Sequence, residues 1–348
     1  MQITGSIFDK YILAKFLKIS RLALDYTLDN PLWGAIIFDK ENQRILYIGW
    51  RFSVEVKYPV EESFIVNFQR FRDAVRFCHK PTIRPTAHYV MVEEDNIKFK
   101  LKKLDIDYSN FLHPESEDLQ YKPTRETLLS DINFCSIAAA TDRTSYEKYG
   151  VILSYDMLAA TDSESNIALV LTEQPEFSYP MLLQLPWCSI LQDLGSIIEI
   201  AIQDLGGRNA TLFVRTRDEF KAIIPVLKVN PNPSMIPYIQ SIEPHVTISN
   251  LNKATLKKLE VTVDDAYKFV TAYSDNGKIY LESSSKSKGK TVVEMCEGDM
   301  GEISVGISLR FLYNIVSMAE YLDLDLDNLV GFVSMGENEE YKYAFSLG

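Results

Sequence analysis

Tyr149-Gly-Val-Ile-Leu-Ser154, Leu158-Ala-Ala-Thr-Asp162 and Ile167-Ala-Leu169 are three short apolar runs separated by polar residues. Runs this short, bounded by turn formers, read as strands. Gly150 opens the first of them, and Gly34 opens Gly34-Ala-Ile-Ile-Phe38 in the same way 116 residues earlier, one third of the 348-residue chain. A further step of that length reaches Ala266-Tyr-Lys-Phe-Val270, followed by Asp275-Asn-Gly-Lys278, which has hairpin-turn chemistry. The fold is therefore expected to repeat.

The helical periods follow the same step. Ile12, Leu13, Phe16 and Leu17 share one face of a helix upstream of the first strand. Leu128, Leu129, Ile132 and Asn133 stand at the corresponding positions, behind Thr124, Glu126 and Thr127, a reasonable helix start. A second helix, Phe68 to Lys80, has its counterpart at Pro186 to Gly195. The third repeat places helices at Leu251–Leu259 and Ser308–Leu322, and needs an insertion because the constant spacing fails there. Strand alternation shows in Phe52-Ser-Val-Glu-Val-Lys-Tyr58 and Lys278-Ile-Tyr-Leu-Glu-Ser283. Two stretches rich in turn formers, His113 to Pro123 and Asn230 to Pro237, read as linkers. The expected class is α+β, in three similar domains of residues 1–120, 121–242 and 243–348, each with two helices on an antiparallel sheet.

The chain carries 36 Lys and Arg against 48 Asp and Glu, a net charge of −12. With 46% apolar residues it is ordinary globular material. No apolar run is long enough to span a bilayer. The start, Met-Gln-Ile-Thr-Gly-Ser, lacks a basic segment followed by a small-residue cleavage site, so a cytoplasmic location is expected. Four scattered cysteines, none in a Cys-x-x-Cys pair, argue against a disulfide framework or a zinc ribbon.

An acidic total ordinarily argues against nucleic acid as a partner, but the basic residues are not evenly spread. The first helix carries Lys10, Lys15, Lys18 and Arg21 against Asp9, and the second carries Arg70, Arg72, Arg76 and Lys80 against Asp73. Lys253, Lys257 and Lys258 lie in one stretch without an acid between them, Arg310 opens the last helix, and the middle third adds Arg125 and Arg143. Brought to one surface by the repeat, these would line a phosphate-binding face that reads no bases. Taken singly, each stretch reads rather as the solvated face of an amphipathic helix, and it is the repeat that favours a common lining.

No catalytic constellation emerges. Asp323-Leu-Asp-Leu-Asp-Asn328 resembles the start of a calcium loop, but Asn328 stands where Gly is needed and Ser334 where a bidentate Glu is needed. It reads instead as an acidic helix end or a hairpin. His79, His88, His113 and His245 show no metal spacing. Cys135 and Cys188 fall on apolar helix faces, and Gly206-Gly207 reads as a turn between strands. No cofactor is expected.

With these elements in order, the sequence resembles the bacterial DNA sliding clamp, the beta subunit of DNA polymerase III, over essentially its whole length. The resemblance rests on Pro31-Leu-Trp-Gly34 before an apolar strand, Ile65-Val-Asn-Phe-Gln-Arg-Phe71 at the strand-to-helix entry, and Leu158-Ala-Ala-Thr-Asp162 with Ile167-Ala-Leu169. Leu185-Pro186 and Ile303-Ser-Val-Gly-Ile-Ser-Leu-Arg-Phe-Leu312 add to it. It implies a non-enzymatic ring, a homodimer encircling double-stranded DNA, which tethers the replicative polymerase and clamp loader through short peptide motifs. It also implies a peptide pocket between the second and third domains, at Thr161, Asp162, Ile167, Pro233, Met235, Ile236, Tyr343, Phe345 and Leu347. Three pocket elements depart from the family. Ser163-Glu-Ser-Asn166 replaces Gly-His-Arg, Ala344-Phe-Ser-Leu-Gly348 replaces the terminal Met-Pro-Met-Arg, and Asn232-Pro-Ser-Met-Ile-Pro237 matches Phe-Pro-Asp-Tyr only loosely. Phe345 is expected to fill part of the groove. A clamp-like homologue of a phage, plasmid or divergent bacterium, acting as a docking scaffold with altered specificity, is the alternative.

Overall fold

The computed structural model describes residues 7–22, 34–49, 52–78, 81–107, 119–140, 142, 148–162, 165–173, 176–230, 235–263 and 268–348. The first stretch of chain forms α1 (Ile7–Leu22), β1 (Ala35–Asp39), β2 (Arg44–Ile48), β3 (Ser53–Lys57), β4 (Phe64–Asn67), α2 (Phe68–Arg76), β5 (Thr82–Pro85), β6 (Tyr89–Glu94) and β7 (Ile97–Lys102). After the short β8 (Lys122–Pro123) come α3 (Leu128–Ser136), β9 (Gly150–Leu153), β10 (Leu158–Thr161), β11 (Asn166–Val170), β12 (Met181–Gln184), α4 (Leu185–Leu194), β13 (Ile197–Asp204), β14 (Asn209–Thr216) and β15 (Phe220–Lys228). Then α5 (Met235–Gln240) and β16 (Val246–Ile248) lead to α6 (Lys253–Glu260), β17 (Phe269–Asp275), β18 (Lys278–Ser285), β19 (Gly289–Glu297), β20 (Val305–Ser308), α7 (Leu309–Met318), β21 (Leu322–Asp325), β22 (Val330–Met335) and β23 (Tyr341–Ser346). The order helix, four strands, helix, three strands thus occurs three times. Antiparallel pairings build all three sheets, which makes the class α+β as the sequence implied.

The chain divides into two compact units, residues 1–133 with 174–229, and residues 134–173 with 230–348. In the first unit, β3 pairs with β15, from Phe220 opposite Val56 to Ile223 opposite Ser53. α1 packs on α4 and β3. The α1 face read from the sequence, Ile12, Leu13, Phe16 and Leu17, is buried, and Ile19 is covered with it. Phe38 stacks on Phe64 at 4.3 Å and meets Phe71 edge-on at 5.3 Å, while Phe52 stacks on Trp187 at 5.7 Å. In the second unit, β11 pairs with β23, from Asn166 opposite Phe345 to Val170 opposite Tyr341. There α6 packs on α7, β18 and β19.

A smaller tie also recurs within the units. The last strand of each set of three, or the residue or two just past it, is bonded to the strand before the second helix: Leu104 N–H to Ile65 O at 2.9 Å, β15 to β12, and Gly348 with Gly306 in both directions at 2.8 Å.

Several local expectations hold. Asn276 and Gly277 both take positive φ in the β17–β18 turn, the conformation a two-residue hairpin requires. Cys135 and Cys188 are buried, and Gly206-Gly207 turns β13 into β14. Asp323–Asn328 belongs to the β21–β22 hairpin, where Asp325 caps the turn by accepting from Asn328.

Three boundaries differ. α2 stops at Arg76 instead of Lys80, tightening through the Cys78 N–H to Val75 O bond, and Pro81 disfavours helix at the residue before it. α7 stops at Met318, because Leu322-Asp-Leu-Asp325 alternates at the period of a strand and pairs with β22. α3 starts behind Thr127, whose hydroxyl donates to Asp131 at 2.9 Å. Thr124 is held on β13 through Ile198.

Candidate peptide pocket and basic helices

In the second unit a cavity of about 230 Å³ is lined by Thr161, Ser165, Asn166, Ile167, Tyr238, Val330, Ala344, Phe345 and Ser346. Its walls come from the ends of β10, β11, β22 and β23 and from Ser165 just before β11, and α5 brings Tyr238 to it. Of the residues expected at a pocket, Thr161, Ile167 and Phe345 meet here. The Phe345 ring is only 2% exposed, packed 4.8 Å from Phe311 and 6.0 Å from Tyr343, so it walls the cavity and does not fill it. Tyr343 and Leu347 are buried outside the lining. Burial pushes the Tyr343 hydroxyl up to about 12, and that oxygen accepts from Asn314. Pro233 lies outside the described residues, as do the side chains of Met235 and Ile236. Nothing in the sequence pointed to Tyr238 or Val330, which arrive on α5 and on β22 beside β23, while Ser346 belongs to the Ala344–Gly348 stretch already read as a pocket element.

The rim is tied by Asp162. Its carboxylate accepts from the Ser165 and Asn166 backbone N–H groups at 2.8 and 3.0 Å, and from the Ser165 hydroxyl and Asn166 amide at 2.8 Å each. Thr161 donates its hydroxyl to Asn166 O at 2.7 Å, and Ser346 N–H donates to Ser165 O at 2.8 Å.

The basic helices divide into committed and open cations. Lys15 is 11% exposed, paired with Asp218 at 2.9 Å and set 4.8 Å from the Phe220 ring centroid. Arg72 is paired with Asp73 at 2.8 Å, and Lys18 bridges to Asp193 at 2.6 Å while remaining exposed. Arg125 lies half-buried beside Glu176. Arg70 and Arg76 on α2, Lys253, Lys257 and Lys258 on α6, and Arg310 on α7 are exposed. Lys80 and Arg143 lie outside the described residues, as do the side chains of Lys10 and Arg21 on α1.

Chains with known structures share this architecture. The DNA polymerase sliding clamp of Bacillus subtilis superposes with a TM-score of 0.76 at 15% identity, covering 97% of each chain. The fold is that of the sliding clamp. The DNA polymerase III beta subunit of Thermotoga maritima gives a TM-score of 0.74 at 16% identity, covering 97% of this chain and 96% of its own. The sliding clamp of Pseudomonas aeruginosa, in a structure bound to griselimycin, gives 0.75 at 14% identity over 97% of both chains. No protein-family model and no curated protein sequence matches this chain. The sequence resemblance to sliding clamps therefore holds at the level of the fold.

Two further features of this sliding-clamp fold bear on chemistry. A cavity of about 580 Å³ in the first unit lies along β3 and β15, but its charges are met within its own lining. Arg44 reaches Glu55 at 2.5 Å, Lys221 reaches Glu55 at 3.5 Å and Arg215 reaches Glu199 at 3.2 Å. Among the described residues, no group of three or more His, Cys, Asp or Glu side chains is placed to hold a metal ion, and no helix is long and apolar enough to cross a membrane.

Proposed function

We propose that two copies of this chain, each of three domains (1–120, 121–242 and 243–348), close into a ring around duplex DNA and act as a polymerase processivity factor without catalysis. The observation that supports closure is a pair of open strand edges. β15 finds β3, and β23 finds β11. β7 holds the place of β15 and β23 in the recurring order, and β19 holds the place of β3 and β11. Each ends its own sheet. An open edge is a template for another strand, and two copies joined head to tail satisfy both edges at once. The edges also differ in charge: β7 carries Lys98, Lys100 and Lys102 and no acid, while β19 carries Glu294 and Glu297 with one base, Lys290. Of these, Glu294 is paired with Lys278 and Lys290 with Glu282.

The exposed cations Lys18, Arg70, Arg76, Lys253, Lys257, Lys258 and Arg310 are assigned to phosphate contacts. They carry no base information, as a protein that slides requires. Encirclement makes weak contacts sufficient for long residence. Short peptides of a replicative polymerase and a clamp loader, in a cytoplasmic, nucleoid-associated setting, are assigned to the cavity at Ile167 and Phe345. The rim that replaces Gly-His-Arg favours a second reading, a docking scaffold that takes other peptides.

Light scattering should give twice the 39.8 kDa chain mass. The protein loaded on closed circular DNA should be retained and then released by linearisation. Retention on linear DNA would refute encirclement. Griselimycin, which the Pseudomonas clamp binds, and the usual clamp-binding peptide should be titrated against wild type and Ile167→Glu. Loss of binding in the variant assigns the cavity, and binding of neither probe to wild type favours the scaffold.

A further inference from the structure

We propose that Asp162 is the positioning residue of the pocket, holding its polar wall in the docking geometry without contacting the peptide; this rests on the cavity's assignment as the peptide site. Asp162 is absent from the lining, yet Thr161, Ser165, Asn166 and Ser346, four of the nine lining residues, are fixed by it or through it. Oδ1 takes both backbone N–H groups and Oδ2 takes the Ser165 hydroxyl and the Asn166 amide. The Asn166 carbonyl so placed receives the Thr161 hydroxyl, and the Ser165 carbonyl receives the N–H of Ser346. The tie therefore runs from β10 across the loop to β11 and on to the end of β23.

Oδ1 must accept, because both of its partners are backbone N–H groups. The partners of Oδ2 are adaptable: the Ser165 hydroxyl can turn to accept, and the Asn166 amide can flip to present its oxygen. In Asp162→Asn the new amino group therefore takes the Oδ2 place and the ties re-form without the charge, whereas in Asp162→Ala all four are lost. Hydrogen bonds to a charged group are the strong kind, and a rim that must be ordered on docking weakens binding. The alanine variant is thus the damaging one, and the asparagine variant is its partial rescue.

The test compares wild type, Asp162→Ala and Asp162→Asn by titration with the usual clamp-binding peptide and by amide hydrogen exchange. Peptide affinity should fall about tenfold or more in Asp162→Ala and by less in Asp162→Asn, which restores the ties without the charge. In Asp162→Ala exchange should accelerate at Ser165, Asn166 and Ser346, while Val333 and Tyr343 in the neighbouring strands keep their protection. Wild-type affinity and exchange in Asp162→Ala would overturn the proposal. So would faster exchange throughout β22 and β23, which marks a merely structural residue. If wild type binds no peptide, the pocket reading fails on its own, and the exchange pattern still decides whether Asp162 holds the rim.

Discussion

Gly331 on β22 lies directly opposite Phe345 on β23, and the Phe345 ring rests across it. A Cβ at position 331 would fall 2.6 Å from Cζ, 2.8 Å from Cε2 and 3.2 Å from Cε1 of that ring. Ordinary contact begins near 3.4 Å, so the ring would have to retreat by about 0.8 Å. Phe311 at 4.8 Å and Tyr343 at 6.0 Å crowd the ring on other sides, so a retreat would have to come at the expense of the cavity it walls. Overpacking of this kind costs ~1–3 kcal/mol. Phe345→Ala alone should cost ~3–5 kcal/mol by emptying the site. In the Phe345→Ala background the new methyl enters the vacated volume, so Gly331→Ala should be neutral or mildly stabilising. The cycle should therefore show a coupling of ~1–3 kcal/mol between the two positions. Native-state hydrogen exchange at the Val333 and Tyr343 amides reads the local stability of this sheet. The reasoning is refuted if Gly331→Ala leaves that stability within about 0.5 kcal/mol of wild type, or if the penalty persists without the Phe345 ring.

Glu176 is 2% exposed and neither oxygen makes a well-formed hydrogen bond, so burial raises its pKa, partly offset by nearby backbone amides and the charges of Arg125 and Lys122. A raised carboxyl pKa means stability lost as pH climbs above the unfolded value, so Glu176→Gln should raise the unfolding midpoint more at pH 8 than at pH 4; equal effects would contradict it. Asp39 behaves oppositely: burial raises it, but hydrogen bonds from Asn42 and Arg44 hold it below the usual range. Its contribution should be fully present above the unfolded pKa and fade as pH falls through the lower folded value, so Asp39→Asn should destabilise the protein less at pH 3 than at pH 7 by thermal denaturation. Reversing Arg70, Arg76, Lys253 and Lys257 should sharply weaken association with DNA, and neutralising any one should lower its salt slope by about one. Lys15→Ala should instead leave that slope unchanged and lower thermal stability, because its charge is spent on Asp218. Lys98→Glu with Lys100→Glu should shift light scattering toward one chain mass at a concentration where wild type is dimeric.

The recurring order of helices and strands was legible in the sequence because it depends on short-range periodicity. Ile12, Phe16 and their counterparts Leu128 and Ile132 repeat at the helical period and are buried, and Asn276-Gly277 turns where its chemistry says. Side-chain spacing along the backbone determines which face is apolar, whatever the distant chain does. The pairings of β3 with β15 and β11 with β23 were beyond it, since strand edges carry no address in their own residues. The second of them decided the site: with β23 set between β11 and β22, Val330 and Ser346 come to Thr161, and Tyr343 stays outside the lining. Lys15 shows the same limit from the side of charge. Its helix face marked it as a phosphate contact, but Asp218, 203 residues away, is its partner in the fold. A lysine's role depends on which carboxylate the tertiary structure delivers to it, and Coulomb attraction acts through space without regard to position along the chain.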